Sequence, residues 1–241
     1  MENAEKKPIG QIVAEKYPAW GVFENYKIDF YNGGKRTLEE AAKESNIDVQ
    51  TLLSEIENAH DDKSEGDTNF NSWDPGVLSE YIVKNYHRKA DKQIQIVKPA
   101  LEKACNEHGE QHPELKEIQS FFGQVAGWLA MHQKKEELIL FPYIRKMADA
   151  KKNNKAFVRP PATKSVENPV DMLMHEHTNQ AAALRKIGNM TGEYKAPGYA
   201  DNSLKETLNI LKEMEVDLHK HIHLENNILF PKALKLDKEL V

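Results

Sequence analysis

The sequence predicts an all-α fold, a four-helix bundle preceded by a small helical domain, and three observations carry that expectation. The first is an internal repeat: His132-Gln-Lys-Lys-Glu136-Glu-Leu-Ile-Leu-Phe-Pro142 returns as His221-Ile-His-Leu-Glu225-Asn-Asn-Ile-Leu-Phe-Pro231. The second is that His87 and His177 precede their copies by nearly the same interval, so the repeating unit reads as a pair of helices used twice. The third is that apolar residues recur at steps of three and four along four long segments.

Taken in order, residues 9–16, 19–26 and 37–59 read as short helices, the last broken near Asn46-Ile47-Asp48. Thr37 followed by Glu40 has the form of a capping box, and Gly33-Gly34 ahead of it supply the turn. Residues 1–60 are therefore expected to form the small domain. Residues 61–74 run through Asp, Lys, Ser, Glu, Gly, Thr and Asn with only Phe70 and Trp73 apolar, which is linker composition. Residues 75–241 are left for the bundle.

The first long helix, 75–106, carries Val83, His87, Ala90, Ile94, Val97, Leu101 and Ala104 on one stripe. The second, 113–150, carries Ile118, Phe122, Val125, Leu129, His132, Glu136, Ile139 and Tyr143. A polar connection containing Pro160-Pro161 leads to the third, 166–191, with Val170, Leu173, His177, Ala181, Leu184 and Ile187. The fourth, 202–236, has Leu204, Leu208, Leu211, Met214, Leu218, His221, Glu225 and Ile228. Pro142 and Pro231 each follow a glutamate by six residues and should kink or break their helices.

Composition narrows the function classes. A chain of 241 residues has room for one substantial core and a small extra domain, and none of its apolar runs approaches the roughly 20 residues needed to cross a bilayer. The amino terminus leads into no apolar signal segment, so a cytoplasmic location is expected. A formal charge of −5 argues against nucleic acid or an anionic membrane as partner. Cys105 is the one cysteine, which excludes an intrachain disulfide framework and CxxC metal or redox motifs.

Every long helix thus places a histidine in its apolar ladder, and two place a glutamate there one turn later. Burying that many polar groups in one bundle layer costs several kcal/mol unless something compensates them. Histidines and carboxylates from facing helices are the makings of a dinuclear carboxylate site. His87, His132, His177 and His221 give two imidazoles to each of two metals, with Glu136 and Glu225 shared. Two six-coordinate ions would then retain open positions beside an oxo or hydroxo bridge. This donor set favours iron over manganese or zinc.

The remaining histidines compete poorly. His175 points away from the His177 stripe and should face solvent. His219 and His223 form a rival pair, but their stripe includes Glu215 and Asn226, so they are expected to be exposed or to stand behind the ligands. His60, His108 and His112 lie in or near loops. Asp91 follows His87 by four and can be a seventh ligand, orient His87 through a hydrogen bond, or be a solvated or paired acid; Glu176, beside His177, can relay protons or be a surface acid. At about 1.5 Å per residue, Cys105 lies too far along its helix from His87 to serve the metals.

With these residues laid out, the chain resembles the Repair of Iron Centers family, di-iron proteins of the YtfE/ScdA type with a hemerythrin-like bundle. The segments that carry the likeness are the two repeat copies, Glu176-His177, Tyr86-His87, Ile28-Asp29-Phe30 and Gly33-Gly34-Lys35-Arg36-Thr37-Leu38. The resemblance implies a non-haem di-iron centre at His87, His132, His177, His221, Glu136 and Glu225. It also implies recovery from nitrosative and oxidative stress through repair of iron–sulfur clusters, and binding or reduction of nitric oxide. Where the family has two adjacent cysteines, this chain has Tyr31-Asn32. Where hemerythrin oxygen carriers have a further histidine, it has Ala181.

Three functional readings are compatible with the sequence. One is a di-iron repair protein that handles nitric oxide, oxygen or related small ligands and meets iron–sulfur proteins, with turnover left open. Another is a hemerythrin-like oxygen or redox sensor acting through the N-terminal domain. The last is an interaction protein in which that domain has become a docking or dimerisation module, so a homodimer is compatible with the sequence.

Overall fold

The computed structural model describes residues 4–60, 69–159 and 165–240, and the elements among them are helical, with one isolated antiparallel bridge, Pro8 to Thr37, and no strand. None of the described helices is long and apolar enough to cross a membrane. The chain divides into two compact units. One comprises Met1–Ser79, Ile144–Glu167 and His219–Val241; the other comprises Glu80–Tyr143 and Asn168–Leu218.

In the first unit, α1 (Ile9–Glu15), α2 (Ala19–Asn25), α3 (Leu38–Glu44) and α4 (Val49–Asn58) follow the short helices expected from sequence. The capping box is formed: Thr37 Oγ1 accepts from Glu40 N–H at 3.2 Å and Glu40 Oε2 accepts from Thr37 N–H at 2.8 Å. Two otherwise orphaned donors are thereby satisfied, an arrangement worth about 1 kcal/mol. The break falls where Asn46 takes a left-handed φ of 54°, and Asp48 caps α4 by accepting from Thr51 N–H at 2.9 Å. Ile9, Val13, Tyr17, Phe23, Phe30 and Leu38 make the core of these helices.

Of the expected linker, residues 61–68 lie outside the described residues. Within 69–74 the linker composition conceals an anchor. Phe70–Ser72 form a 3₁₀ turn, and Phe70, 1% exposed, packs edge-on against Tyr17 at 4.9 Å. Lys232 Nζ, on the last helix, donates to Asn71 O at 2.8 Å and Trp73 O at 2.6 Å, holding the segment down.

The four long helical runs are α5 (Pro75–Ile82) continued by α6 (Arg88–His108), α7 (Glu114–Lys135) continued by α8 (Phe141–Lys152), α9 (Glu167–Met190), and α10 (Asn202–Leu224) continued by α11 (Phe230–Glu239). Pro160-Pro161, read as part of the connection before α9, lie outside the described residues. The continuations pass through single π turns, Val83–His87, Glu136–Leu140 and Glu225–Leu229. In each, the backbone bond spans five residues: Arg88 N–H to Val83 O, Phe141 N–H to Glu136 O, and Phe230 N–H to Glu225 O.

These turns correct two expectations. Of the kink or break expected at Pro142 and Pro231, the break does not occur, since the helices continue as α8 and α11. The wider turn lies directly before each proline, where the missing N–H leaves the ladder free to change register. The extra residue in the turn also rotates the helix beyond it. Ile139, placed on the buried stripe by a 3.6-residue period, is 65% exposed, and Leu140 takes the inward position at 2%. The rest of the second, third and fourth ladders is buried as expected, from Ile118 to Glu136, Val170 to Ile187 and Leu204 to Ile228.

Candidate metal centre

The π turns present the candidate ligands. His87 closes the first, Glu136 opens the second and Glu225 opens the third, which fits the tendency of such turns to occur at functional sites. His132, His177 and His221 lie on regular α-helix. All six side chains are buried, His221 being the most exposed at 4%.

Around Glu136 three imidazoles converge: His132 Nε2 at 3.2 Å, His87 Nε2 at 3.4 Å and His177 Nε2 at 3.7 Å. The rings of His132 and His177 meet edge-on at 4.7 Å, and His87 stacks on Phe141 at 5.8 Å. His221 Nε2 stands 2.9 Å from Glu225 Oε1 one turn on. Two groups of four have their ligand atoms within 4.8 Å of one another: His87, Glu136, His221 and Glu225, and His132, Glu136, His177 and Glu225. Both glutamates belong to both groups.

Carboxylates outside these groups fix the orientation of two rings. His87 Nδ1 lies 2.9 Å from Glu137 Oε1, and Arg88 also donates to Glu137. His132 Nδ1 lies 2.9 Å from Glu176 Oε2, whose other oxygen accepts from Lys135. A carboxylate only accepts, so each Nδ1 carries the proton and, in a neutral ring, Nε2 presents its lone pair. Burial alone would raise the carboxyl pKa values of Glu137 and Glu176, but their bonds to Arg88 and His87, and to Lys135 and His132, hold both below the usual range. For Glu136 too, burial pushes upward and is outweighed, first by His132 and then by His177 and His87, leaving it well below the usual range and ionised.

That geometry tests whether the residues suit a metal. Lone pairs of His87 and His132 face an ionised carboxylate at 3.4 and 3.2 Å in a site from which water is excluded. Acceptors set against acceptors are unfavourable unless the rings take up a second proton, as the lowered Glu136 carboxyl implies for the metal-free chain, or a cation lies among them. Two ligand atoms each about 2.1 Å from one ion and at right angles lie about 3 Å apart, close to these spacings. The donor set fits divalent transition metals.

The other candidate positions fall into place around this centre or away from it. Asp91, a candidate to orient His87, is partly exposed and pairs with Arg88 at 3.1 Å. Glu137, which sequence reasoning passed over, takes that place because it directly follows Glu136 in the π turn. Glu176 touches His132, the residue one turn before Glu136, although its own neighbour in sequence is His177. His175 and His60 are exposed, and Cys105 is buried away from these groups. His108 and His112 pack against Tyr199, His112 at 3.6 Å between ring centroids.

His219 and His223 are not exposed. They are 5% and 0% accessible, because the face of α10 they occupy is covered by residues of the N-terminal helices and loop. His219 Nδ1 pairs with Glu24 at 2.9 Å and its ring stacks on Tyr31 at 3.9 Å; His223 packs near Phe30 at 5.7 Å and accepts from Asn227 at 3.0 Å. Burial drives the His223 imidazole from 6.5 down to about 3. The unfolded chain takes a proton there below about pH 6.5, while the folded chain resists until about pH 3. Its share of stability is therefore full above 6.5 and lost as pH falls through that window. Denaturant unfolding of metal-free protein at pH 5 should show about 2 kcal/mol less stability from this residue than at pH 7, and His223→Gln should remove that share of the pH dependence.

Comparison with known proteins gives the same outline. The hemerythrin HHE cation binding domain matches residues 79–233, and a domain of unknown function, ScdA_N, matches residues 5–60. The chain is 26% identical over 224 residues to the iron-sulfur cluster repair protein ScdA of Staphylococcus haemolyticus, covering 93% of this chain and 96% of that one. It is 27% identical over 231 residues to the iron-sulfur cluster repair protein YtfE of Citrobacter koseri, covering 95% and 96%. The YtfE protein of Escherichia coli O17:K52:H18 is likewise 27% identical over 231 residues, with the same coverage.

Proposed function

The chain belongs to the hemerythrin HHE cation-binding family, and from that premise we propose that it is an iron–sulfur cluster repair protein with two iron ions as its working centre. His87, His132, His177, His221, Glu136 and Glu225 would hold the ions. The observation that carries this reading is the pair of buried His/Glu groups sharing Glu136 and Glu225. Relatives named for cluster repair match nearly the full length of the chain, which supports the same conclusion.

Two ferrous ions held by these residues would supply a redox-active pair able to take up a small diatomic ligand such as nitric oxide or oxygen, or to serve as a source of iron. The protein's own part follows from its geometry. Glu136 and Glu225, common to both groups, would bring two anionic charges to the bound cations. Glu137 and Glu176 hold the Nδ1 protons of His87 and His132, which fixes the rings and makes Nε2 the donor atom. Burial of all six side chains keeps bulk water from competing with a small ligand.

Removal of one supporting carboxylate should be measurable. Glu176→Ala is expected to weaken iron at the His132 group by about 10- to 100-fold in competition with a chelator, with the fold intact. The function itself is tested by adding the anaerobically iron-loaded protein to an iron–sulfur enzyme inactivated by nitric oxide. Recovery of the enzyme's activity is expected with loaded protein and not with the metal-free form. Inactivity of the loaded protein, with iron bound throughout, would remove cluster repair from the reading. The sensor alternative draws on the bonds between the Glu225 π turn and the N-terminal loop; stopped-flow mixing with ligand separates it, since a sensor binds without multiple turnovers.

A further inference from the structure

We infer that Asn226 and Asn227 are positioning residues for Glu225, so that the loop at residues 30–34 holds part of the metal centre's ligand set in place. The inference rests on the reading of Glu225 as a ligand. It starts from an asymmetry in the internal repeat. After Glu136 the chain continues Glu137-Leu138; after Glu225 it continues Asn226-Asn227. Both pairs lie in the π turn that their glutamate opens.

In the first copy Glu137 turns back onto His87 and Arg88, while Leu138 is exposed. In the second copy both side chains reach the N-terminal loop. Asn226 Nδ2 donates to Tyr31 O at 3.3 Å and Asn32 Oδ1 at 3.1 Å; Asn227 Nδ2 donates to Phe30 O at 3.0 Å and Tyr31 O at 3.3 Å. The acceptors are themselves held. Asp29 Oδ1 accepts from Asn32 and Gly33 N–H at 2.8 and 3.1 Å, and Arg36 Nη2 donates to Asp29 O at 2.8 Å.

The close approach depends on two glycines. A Cβ on Gly34 would meet Asn227 Oδ1 at 2.2 Å, and one on Gly10 would meet it at 2.5 Å. The Asn227 amide thus lies against bare backbone contributed by two segments, which are joined by Gly10 N–H donating to Gly34 O at 2.9 Å. A π turn is an uncommon backbone state that persists where its surroundings specify it. Here the loop supplies that specification one and two residues after the carboxylate. Rotation of this turn would carry Glu225 away from both groups.

The test is anaerobic Fe(II) titration of the full chain against a competing chelator, with the optical spectrum of the loaded protein as a second readout. Asn227→Leu and the milder Asn226→Ala remove the amide donors, and Gly34→Ala displaces Asn227 without touching the metal-bearing helix. Thr37→Ala, which loosens α3 in the same unit, is the control for general loss of stability. All three test variants should bind Fe(II) about 10-fold or more weakly and show shifted bands, while Thr37→Ala keeps wild-type affinity and spectrum. Wild-type binding in the folded test variants, or equal weakening in Thr37→Ala, overturns the inference and leaves the metal reading standing. A folded wild-type chain that takes up no Fe(II) overturns both.

Discussion

Glu136→Ala is expected to abolish iron loading at both positions, lowering affinity by more than about 100-fold, beyond what loss of a supporting residue costs. Glu136 is common to the two ligand groups and faces three imidazoles, so its loss removes one of the two carboxylates from each group at once. The same replacement acts differently on metal-free protein. There it removes the carboxylate that the surrounding imidazoles hold well below the usual carboxyl range and leaves those imidazoles buried without it, so the metal-free variant should unfold at a lower temperature than metal-free wild type. Wild type should gain about 3 kcal/mol from Fe(II) at 100 times its dissociation constant, a gain the variant lacks. Thermal unfolding with and without Fe(II), together with iron analysis, reads both effects. Full loading of the variant would mean that the carboxylate is not shared.

His87→Ala and His177→Ala should behave unlike Glu136→Ala and alike in stoichiometry. His87 belongs only to the group completed by His221, and His177 only to the group containing His132. Each variant should therefore keep one iron and lose the other, and the double variant should lose both. The two single variants need not match in stability. His87 stacks on Phe141 and bonds Glu137, so its truncation also opens a cavity beside an aromatic ring and strands a carboxylate. Iron counted per folded chain separates loss of a ligand from loss of fold. Retention of both irons by either single variant would contradict the grouping.

Much of the helical architecture could be read from apolar periodicity, because the α9 ladder from Val170 to Ile187 and the α10 ladder from Leu204 to Leu218 are regular helix with one buried stripe. The repeat located six side chains whose ligand atoms the fold brings within 4.8 Å in two groups. The features that escaped depend on two physical effects. A helical wheel assumes 3.6 residues per turn, so each π turn shifts the phase; this exposed Ile139, buried Leu140 and put Glu137 rather than Asp91 against His87. A wheel also assumes one buried face. The end of α10 is covered on a second face by the N-terminal segment, which buried His219 and His223. Glu215 and Asn226, read as marks of a solvent face, are buried as well. The Asn226-Asn227 pair, read as part of the repeat, gave no sequence signal of its role, since its partners, three of the four contacts being to backbone carbonyls, lie nearly the whole chain away.

The measurement that bears most directly on the metal centre is iron content and optical spectrum of the full chain, purified without air, titrated with Fe(II) and then exposed to oxygen or nitric oxide. Two buried groups sharing two glutamates predict two irons per chain and absorption bands that change when the small ligand is added. A folded chain that retains no iron after titration would contradict it.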